Sequence, residues 1–416
     1  MKKHKRLRKK RMENKSENVS FRKLVNIPST THATFGLYRY PAKFIPHVVA
    51  YVMENYAKEG MSIFDPFGGC GTTGIVSRIY GHDYELWDLN PIIKILHQVA
   101  IMKPVNINSE EIIKEMRDSK KEFIPNWSRL SYWYPQEFLP FLYKVWGYYH
   151  SFKDSEEKNI LVVPLLKISR YFSYDDSQRQ KLSKSTRSQD KIKELLKSDW
   201  QNIFFEMLKK EINKVIIGIK EYSEMSPKNV KAVIRGGVDS LGETLNKKRD
   251  ILITSPPYIQ SQEYMRQAKL DLFWLGYTEE DIKKLSKLEL PYRHIEPIEI
   301  HSKTFFEYRN KIKGKHIQEV YDKYFWSILG LFTQLQKDIN SRMFIFVGNT
   351  SAEGISIPLD RIIIEHLENF GWEHEITLID TIVSRRLFSY KVNPASERKD
   401  KRTNVENLVI LKKINN

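Results

Sequence analysis

Met61-Ser62-Ile63-Phe64-Asp65-Pro66-Phe67-Gly68-Gly69-Cys70-Gly71-Thr72-Thr73-Gly74 decides how this chain folds. Met61 to Phe64 is a short apolar run of the kind a buried strand shows. The acid, proline and glycines that follow end the strand, and Gly69-Cys70-Gly71-Thr72-Thr73-Gly74 has the spacing G-x-G-x-x-G. Glycine lets the backbone turn sharply and come close to a ligand, and the N-terminus of the helix that follows, through about Tyr80, favours an anionic group. A second strand, Tyr84 to Trp87, runs into Asp88-Leu89-Asn90-Pro91. Strand, glycine turn, helix, strand and acid in that order make half of a parallel, doubly wound sheet.

Outward from that turn, Phe44 to Tyr56 carries apolar residues at helical spacing behind Pro46, a natural first-turn proline. From about Lys103 to Ser226 come long, charged and aromatic helical stretches, interrupted by Arg170-Tyr171-Phe172-Ser173-Tyr174 and a polar, basic run from Gln178 to Arg187. Strands are expected again at Ala232 to Ile234, Ile251 to Thr254, Met343 to Val347, Glu375 to Ile379 and Leu408 to Leu411. Helices are expected over about Gln318 to Asp338 and Pro358 to Phe370. The chain thus reads as α/β in four parts: a basic, disordered arm over 1–30, a first sheet half over 31–102, a helical insertion over 103–226, and a second sheet half over 227–416 with a charged insertion at about 276–315.

The 416 residues carry 68 Lys+Arg against 51 Asp+Glu, a formal net charge of +17. Such an excess favours a polyanionic partner, because neutralising phosphates releases condensed counterions. The block from Lys2 to Lys15 repels itself and reads either as a flexible arm on phosphates or as a solubilising tail. No apolar run reaches the roughly eighteen residues of a membrane span, and the charged N-terminus lacks the apolar core of a secretory signal. Cys70 is the only cysteine, which excludes disulfides within the chain and a cysteine-rich zinc site; no metal is expected.

Asp250-Ile251-Leu252-Ile253-Thr254 delivers Ser255-Pro256-Pro257-Tyr258 at a strand's carboxyl end, where ligands collect in such sheets. Consecutive prolines fix φ and donate no hydrogen bond, so their carbonyls are rigidly aimed acceptors. Acceptors at the Ser255 side chain and the Pro256 carbonyl would draw an exocyclic amine toward a tetrahedral, more nucleophilic nitrogen, and Tyr258 offers a face for a flipped-out base. The glycine turn then suits a methyl donor. Its loop would take the carboxylate and amino group of S-adenosylmethionine and Asp88 its ribose hydroxyls, while Asp65 suits the ammonium and would repel a pyrophosphate.

Together these stretches resemble the amino-group DNA methyltransferases, most closely the class that methylates cytosine N4. Tyr40-Pro41-Ala42-Lys43-Phe44-Ile45-Pro46 is similar to the family's first cofactor motif, and Asp65 to Thr73 with Asp88-Leu89-Asn90-Pro91 to its methyl-donor loop and ribose acid. Thr254-Ser255-Pro256-Pro257-Tyr258 is similar to its catalytic motif, with weaker echoes in Leu272-Phe273-Trp274-Leu275-Gly276 and Val347-Gly348-Asn349. The resemblance implies a Rossmann-like class I methyltransferase with a seven-stranded, mostly parallel sheet. It implies S-adenosylmethionine as cofactor, base flipping from double-stranded DNA, and a cognate restriction endonuclease as functional partner. It assigns catalysis to Ser255, Pro256, Pro257 and Tyr258. It assigns cofactor binding to Lys43, Phe44, Asp65, Pro66, Phe67, Gly68, Gly69, Gly71, Thr72, Asp88, Asn90 and Asp239. Serine at the first catalytic position resembles the cytosine-N4 pattern, Asp or Asn the adenine-N6 pattern, and a lone cysteine inside a glycine loop weighs against attack at cytosine C5.

The insertion between cofactor loop and catalytic motif is the expected target-recognition region. Arg170, Tyr171, Tyr174, Arg179, Lys181, Lys184 and Arg187 there are candidate DNA contacts, as are Tyr264, Arg266 and Lys269 after the catalytic strand and Arg385, Arg386 and Lys391 further on. The same chemistry on adenine N6 or on RNA remains open. A nicotinamide-dependent oxidoreductase would leave Ser-Pro-Pro-Tyr and the charge without a role, and an intact loop argues against a binding protein with a lapsed site. The expected location is the cytoplasm, with the nucleoid.

Overall fold

The strands the sequence marks form one sheet, with one strand more than expected. The structure is a computed structural model that describes residues 15–40, 43–179, 181–259, 263–348, 350–381 and 405–414. Its strands are β1 (Ser16–Val19), β2 (Ile63–Asp65), β3 (Tyr84–Asp88), β4 (Ala232–Gly236), β5 (Arg249–Thr254) and β6 (Ile339–Gly348). A separate small hairpin, β7 (Thr350–Ala352) and β8 (Ile355–Ile357), precedes β9 (Trp372–Thr381) and β10 (Val405–Lys413). The main sheet runs β4-β3-β2-β5-β6-β10-β9-β1, parallel throughout except for β10, which is antiparallel to both its neighbours. This is a Rossmann-like, doubly wound α/β fold.

The added strand corrects two expectations, the strand count and the disordered arm over 1–30. Ser16 to Val19 pairs in parallel with Thr377 to Asp380 of β9, and Phe21 behind it is fully buried, edge-on to Tyr51 and Phe346. Ser-Glu-Asn-Val has no hydrophobic period, so its partner rather than its pattern makes it a strand. Residues 1–14 lie outside the described residues.

Both faces of the sheet are covered, as a parallel sheet requires. Alternation along the strands sorts the cores: Ile251, Ile253, Phe344 and Phe346 pack with Val48 and Val52 of α1 (Pro46–Tyr56) and with Ile75 and Val76 of α2 (Thr72–Tyr80). Leu252, Met343, Ile345 and Val347 point the other way, into a second core shared with the C-terminal helices. A third core belongs to the insertion. There α3 (Ile92–Ala100), α4 (Ser109–Asp118), α5 (Leu139–Ser151), α6 (Glu156–Tyr171), α7 (Thr186–Leu196) and α8 (Trp200–Glu224) share one core with α9 (Tyr264–Trp274), the helix after the catalytic strand. Trp146 stacks on Trp274 at 5.5 Å and Trp127 on Phe273 at 4.3 Å, which seats the insertion on the catalytic half. Beyond α9 come α10 (Glu279–Ser286), α11 (Lys315–Leu335) and α12 (Leu359–Leu367), the last two covering the second core. Among the described residues no helix is long and apolar enough to cross a membrane.

Candidate active site

The ends of β2, β3 and β5 lead into one cleft of about 900 Å³. The glycine turn sits where it does because its neighbours leave no room for side chains. Gly68 donates its amide to the Trp87 carbonyl at 2.8 Å, and a Cβ there would meet Ile93 Cδ1 at 2.8 Å. Gly69 has φ +56 and would bring a Cβ to 3.3 Å from the Tyr40 ring, while Gly71, at φ +84, caps α2.

Asp88, at the tip of β3, accepts from the Gly69 amide at 2.8 Å, the Asn90 amide at 2.8 Å and the Tyr40 hydroxyl at 3.3 Å. Burial pushes its carboxyl up to about 7, against those hydrogen bonds. Asn90 in turn accepts the Ile92 amide at 3.1 Å, opening α3. On the far wall Arg293 Nη1 donates to Asp239 Oδ1 at 2.6 Å.

Asp65 stands elsewhere than the sequence reading has it. It is buried behind the cleft wall, where it accepts from Thr73 Oγ1 (2.6 Å), Thr254 Oγ1 (2.7 Å) and the Phe67 amide (3.0 Å), and burial lifts its carboxyl to about 6. One carboxylate thus ties the start of α2 and the end of β5 to the end of β2. Pro66 is likewise occupied, its carbonyl accepting from Ser240 Oγ at 2.6 Å. The structure brings Lys43, Phe44, Phe67, Gly68, Gly69, Thr72, Asp88, Asn90 and Asp239 to the cleft wall and leaves Asp65, Pro66 and Gly71 behind it.

From the catalytic motif, Ser255 and Pro257 line the cleft. Pro256 is buried behind them, and the Tyr258 hydroxyl donates to Glu406 Oε1 at 3.2 Å, its ring against the second core. The aromatic side chain that α9 brings to the cleft is Tyr264, lying nearly parallel to Tyr40 with ring centres 6.4 Å apart. Tyr324, fully buried on α11, donates its hydroxyl to the Pro257 carbonyl at 2.9 Å.

Sequence reasoning missed the part of the wall made by the charged insertion. Leu288, Glu289 and Leu290 line the cleft; Glu289 accepts the Met265 amide at 2.7 Å, and burial lifts its carboxyl to about 7. A run of charges reads as solvated, and no period marks the members that turn inward.

The candidate DNA contacts divide. Arg170 is drawn inside, pairing with Asp271 (3.4 Å) and Asp175 (3.8 Å), so that it pins α6 to α9. Lys184 lies over the rings of Tyr132 (3.7 Å) and Tyr174 (4.4 Å), and Lys269 over Trp127 (5.3 Å). Lys181 (3.1 Å) and Arg266 (2.9 Å) both hold Glu263. Arg179, Arg187 and Tyr171 are exposed, and Arg385, Arg386 and Lys391 lie outside the described residues.

No family model matches the chain. The chain is similar to type II methyltransferases. M.MvaI of Kocuria varians is 22% identical over 400 residues, covering 86% of each chain. M.BsoBI of Geobacillus stearothermophilus is 23% identical over 65% of this chain and 58% of its own, and M.MjaII of Methanocaldococcus jannaschii 29% identical over 25% and 19%.

Proposed function

We propose that the chain is an S-adenosylmethionine-dependent DNA methyltransferase that modifies the N4 amine of cytosine in a short recognition sequence, as the companion of a restriction endonuclease. The observation that carries the proposal is a shared wall: Ser255 and Pro257 face the same cleft as Gly68, Gly69, Asp88 and Asn90. An amine at the first pair and a methyl donor on the second would occupy one space. The type II methyltransferases similar to this chain support the reaction and its restriction-modification setting, and the serine at the head of the motif supports cytosine.

The residues present fit the cofactor. The turn at Gly68 and Gly69 carries no side chain to fill the cradle, Phe44, Phe67, Leu241 and Leu288 give an apolar wall for a purine, and Lys43 suits a carboxylate. Asp88, once ionised, accepts from ribose hydroxyls. S-Adenosylmethionine, when bound, supplies an electrophilic methyl group. Ser255 accepts a hydrogen bond from the base's amine and orients its lone pair. Asp65, through Thr254, and Tyr324, through the Pro257 carbonyl, fix the segment carrying Ser255 from both ends.

Tritiated methyl transfer to duplex DNA, followed by nucleoside analysis, tests this. N4-methylcytosine is the expected product. N6-methyladenine would move the target to the other base, and binding of NAD with none of S-adenosylmethionine would overturn the reading altogether.

A further inference from the structure

The helical insertion builds a second pocket, of about 1220 Å³, that the cleft does not use. It opens between α6, α7, the segment joining them, and α9. Arg39 on its rim is the chain neighbour of Tyr40 in the cleft, and Gln267 in its wall stands three residues from Tyr264 on α9. Three helical residues advance roughly 4.5 Å, and one DNA strand advances about 3.4 Å per nucleotide. The two sites therefore adjoin along α9, close enough for neighbouring parts of one strand.

Charge in this pocket is sorted by depth. The acids are buried and occupied: Asp175 accepts the Ser183 amide at 3.2 Å, Asp176 the Gln178 amide at 3.0 Å, and Asp271 pairs with Arg170 and the Tyr38 hydroxyl. Apart from Arg170, held inside between its two acids, the arginines stand outward. Arg39, Arg179 and Arg187 are exposed; Arg39 donates to the Ser177 carbonyl, Arg179 pairs with Asp176 at 3.5 Å, and Arg187 has no ion pair among the described residues. Lys191 donates to the Ser173 carbonyl at 3.1 Å and lies 4.8 Å over the ring of Tyr171, itself 40% exposed. Burial holds that ammonium down at about 8, so a nearby anion would stabilise its charge. Arginines on the rim, with a lysine ammonium over an aromatic ring beside them, suit an anion, and a DNA phosphodiester is the anion that a strand entering the adjoining cleft would bring.

We propose that this pocket takes a backbone phosphate of the strand whose base enters the cleft, beside the target nucleotide. The inference rests on the methyltransferase reading and adds the point at which the strand is gripped.

Fluorescence anisotropy on a labelled duplex, titrated across salt concentrations, tests it with R187Q and R39Q. Each is expected to reduce the slope of log K against log salt by about one, with the affinity for S-adenosylhomocysteine unchanged. K284Q, an exposed charge on α10, should leave the slope as it is. Unchanged slopes in both arginine variants, or an equal loss in K284Q, would overturn the assignment. So would tight binding of inorganic phosphate, read by ³¹P line broadening and lost in R187Q, if the duplex slopes stayed put, since the site would then serve a free anion. Cofactor binding by the unaltered protein is read separately, so its failure would strike the methyltransferase reading and leave the slopes interpretable.

Discussion

At Asp88 two effects oppose each other. Burial lifts the carboxyl to about 7, while the amides of Gly69 and Asn90 pull it down. Ribose hydroxyls are best met by the ionised form, which only accepts. A proton therefore competes with the cofactor, and affinity is full above pH 7 and falls as pH drops through it. The Kd for S-adenosylmethionine, by calorimetry, should rise about tenfold between pH 8 and pH 6, following the ionised fraction. In Asp88→Asn binding should be weaker at every pH and nearly flat, with any residue of pH dependence belonging to Glu289 across the cleft. A flat profile in the unaltered protein would mean that Asp88 does not receive the ribose. Tyr324 makes a second residue-scale case. Tyr324→Phe deletes one hydroxyl and keeps the ring, so the stability cost should be only about 1 kcal/mol. With the Pro257 carbonyl released, kcat should fall at least about tenfold, a loss of some 1.4 kcal/mol of transition-state stabilisation, while the cofactor Kd stays put. A kcat within twofold of the unaltered enzyme would remove Tyr324 from the positioning of Ser255.

Among the elements, α2 shows how one motif carries two kinds of requirement. Gly71 needs its positive φ, +84, to cap the helix. Gly74 needs the absence of a side chain: a Cβ would lie 2.5 Å from Tyr84 Cε2 and 2.8 Å from His97 Cε1, because α2 lies flat on β3 and α3. Gly74→Ala should therefore destabilise the fold by about 1–3 kcal/mol through overpacking, read as a lower urea midpoint with an unchanged m-value. A midpoint equal to the parent's would mean that α2 can lift off β3 at no cost. This spacing was legible in the sequence, as were β2, β3 and β5, because an apolar run ended by turn residues is a local signal. What needed the folded chain was decided by partners distant in sequence. Asp65 occupies the strand-tip position of a ligand residue, yet Thr73 and Thr254 capture its oxygens. Arg170 reads as a DNA contact in a basic stretch until Asp175 and Asp271 enclose it. Glu289 and Arg293 sit in a charged run whose inward members nothing local distinguishes.

Over the whole molecule, the net charge of +17 is unevenly spread, for residues 1–14 hold eight Lys+Arg against one Glu. The fold takes hold directly after them. Lys15 pairs with Glu373 at 3.3 Å, β1 runs along β9, and Phe21 fills the core between Tyr51 and Phe346. Two truncations separate charge from fold. Removing 1–14 should leave the melting temperature within about 2 °C and the cofactor affinity unchanged, while duplex binding weakens and its salt slope becomes shallower. Removing 1–25 also deletes Phe21, a loss of about 3–5 kcal/mol on its own, and bares the edge of β9, so size-exclusion chromatography should show aggregation. The pair of outcomes discriminates between the two readings of the basic block. If the shorter truncation keeps the full salt slope, those cations only solubilise, and the DNA is held by the folded surface around the insertion.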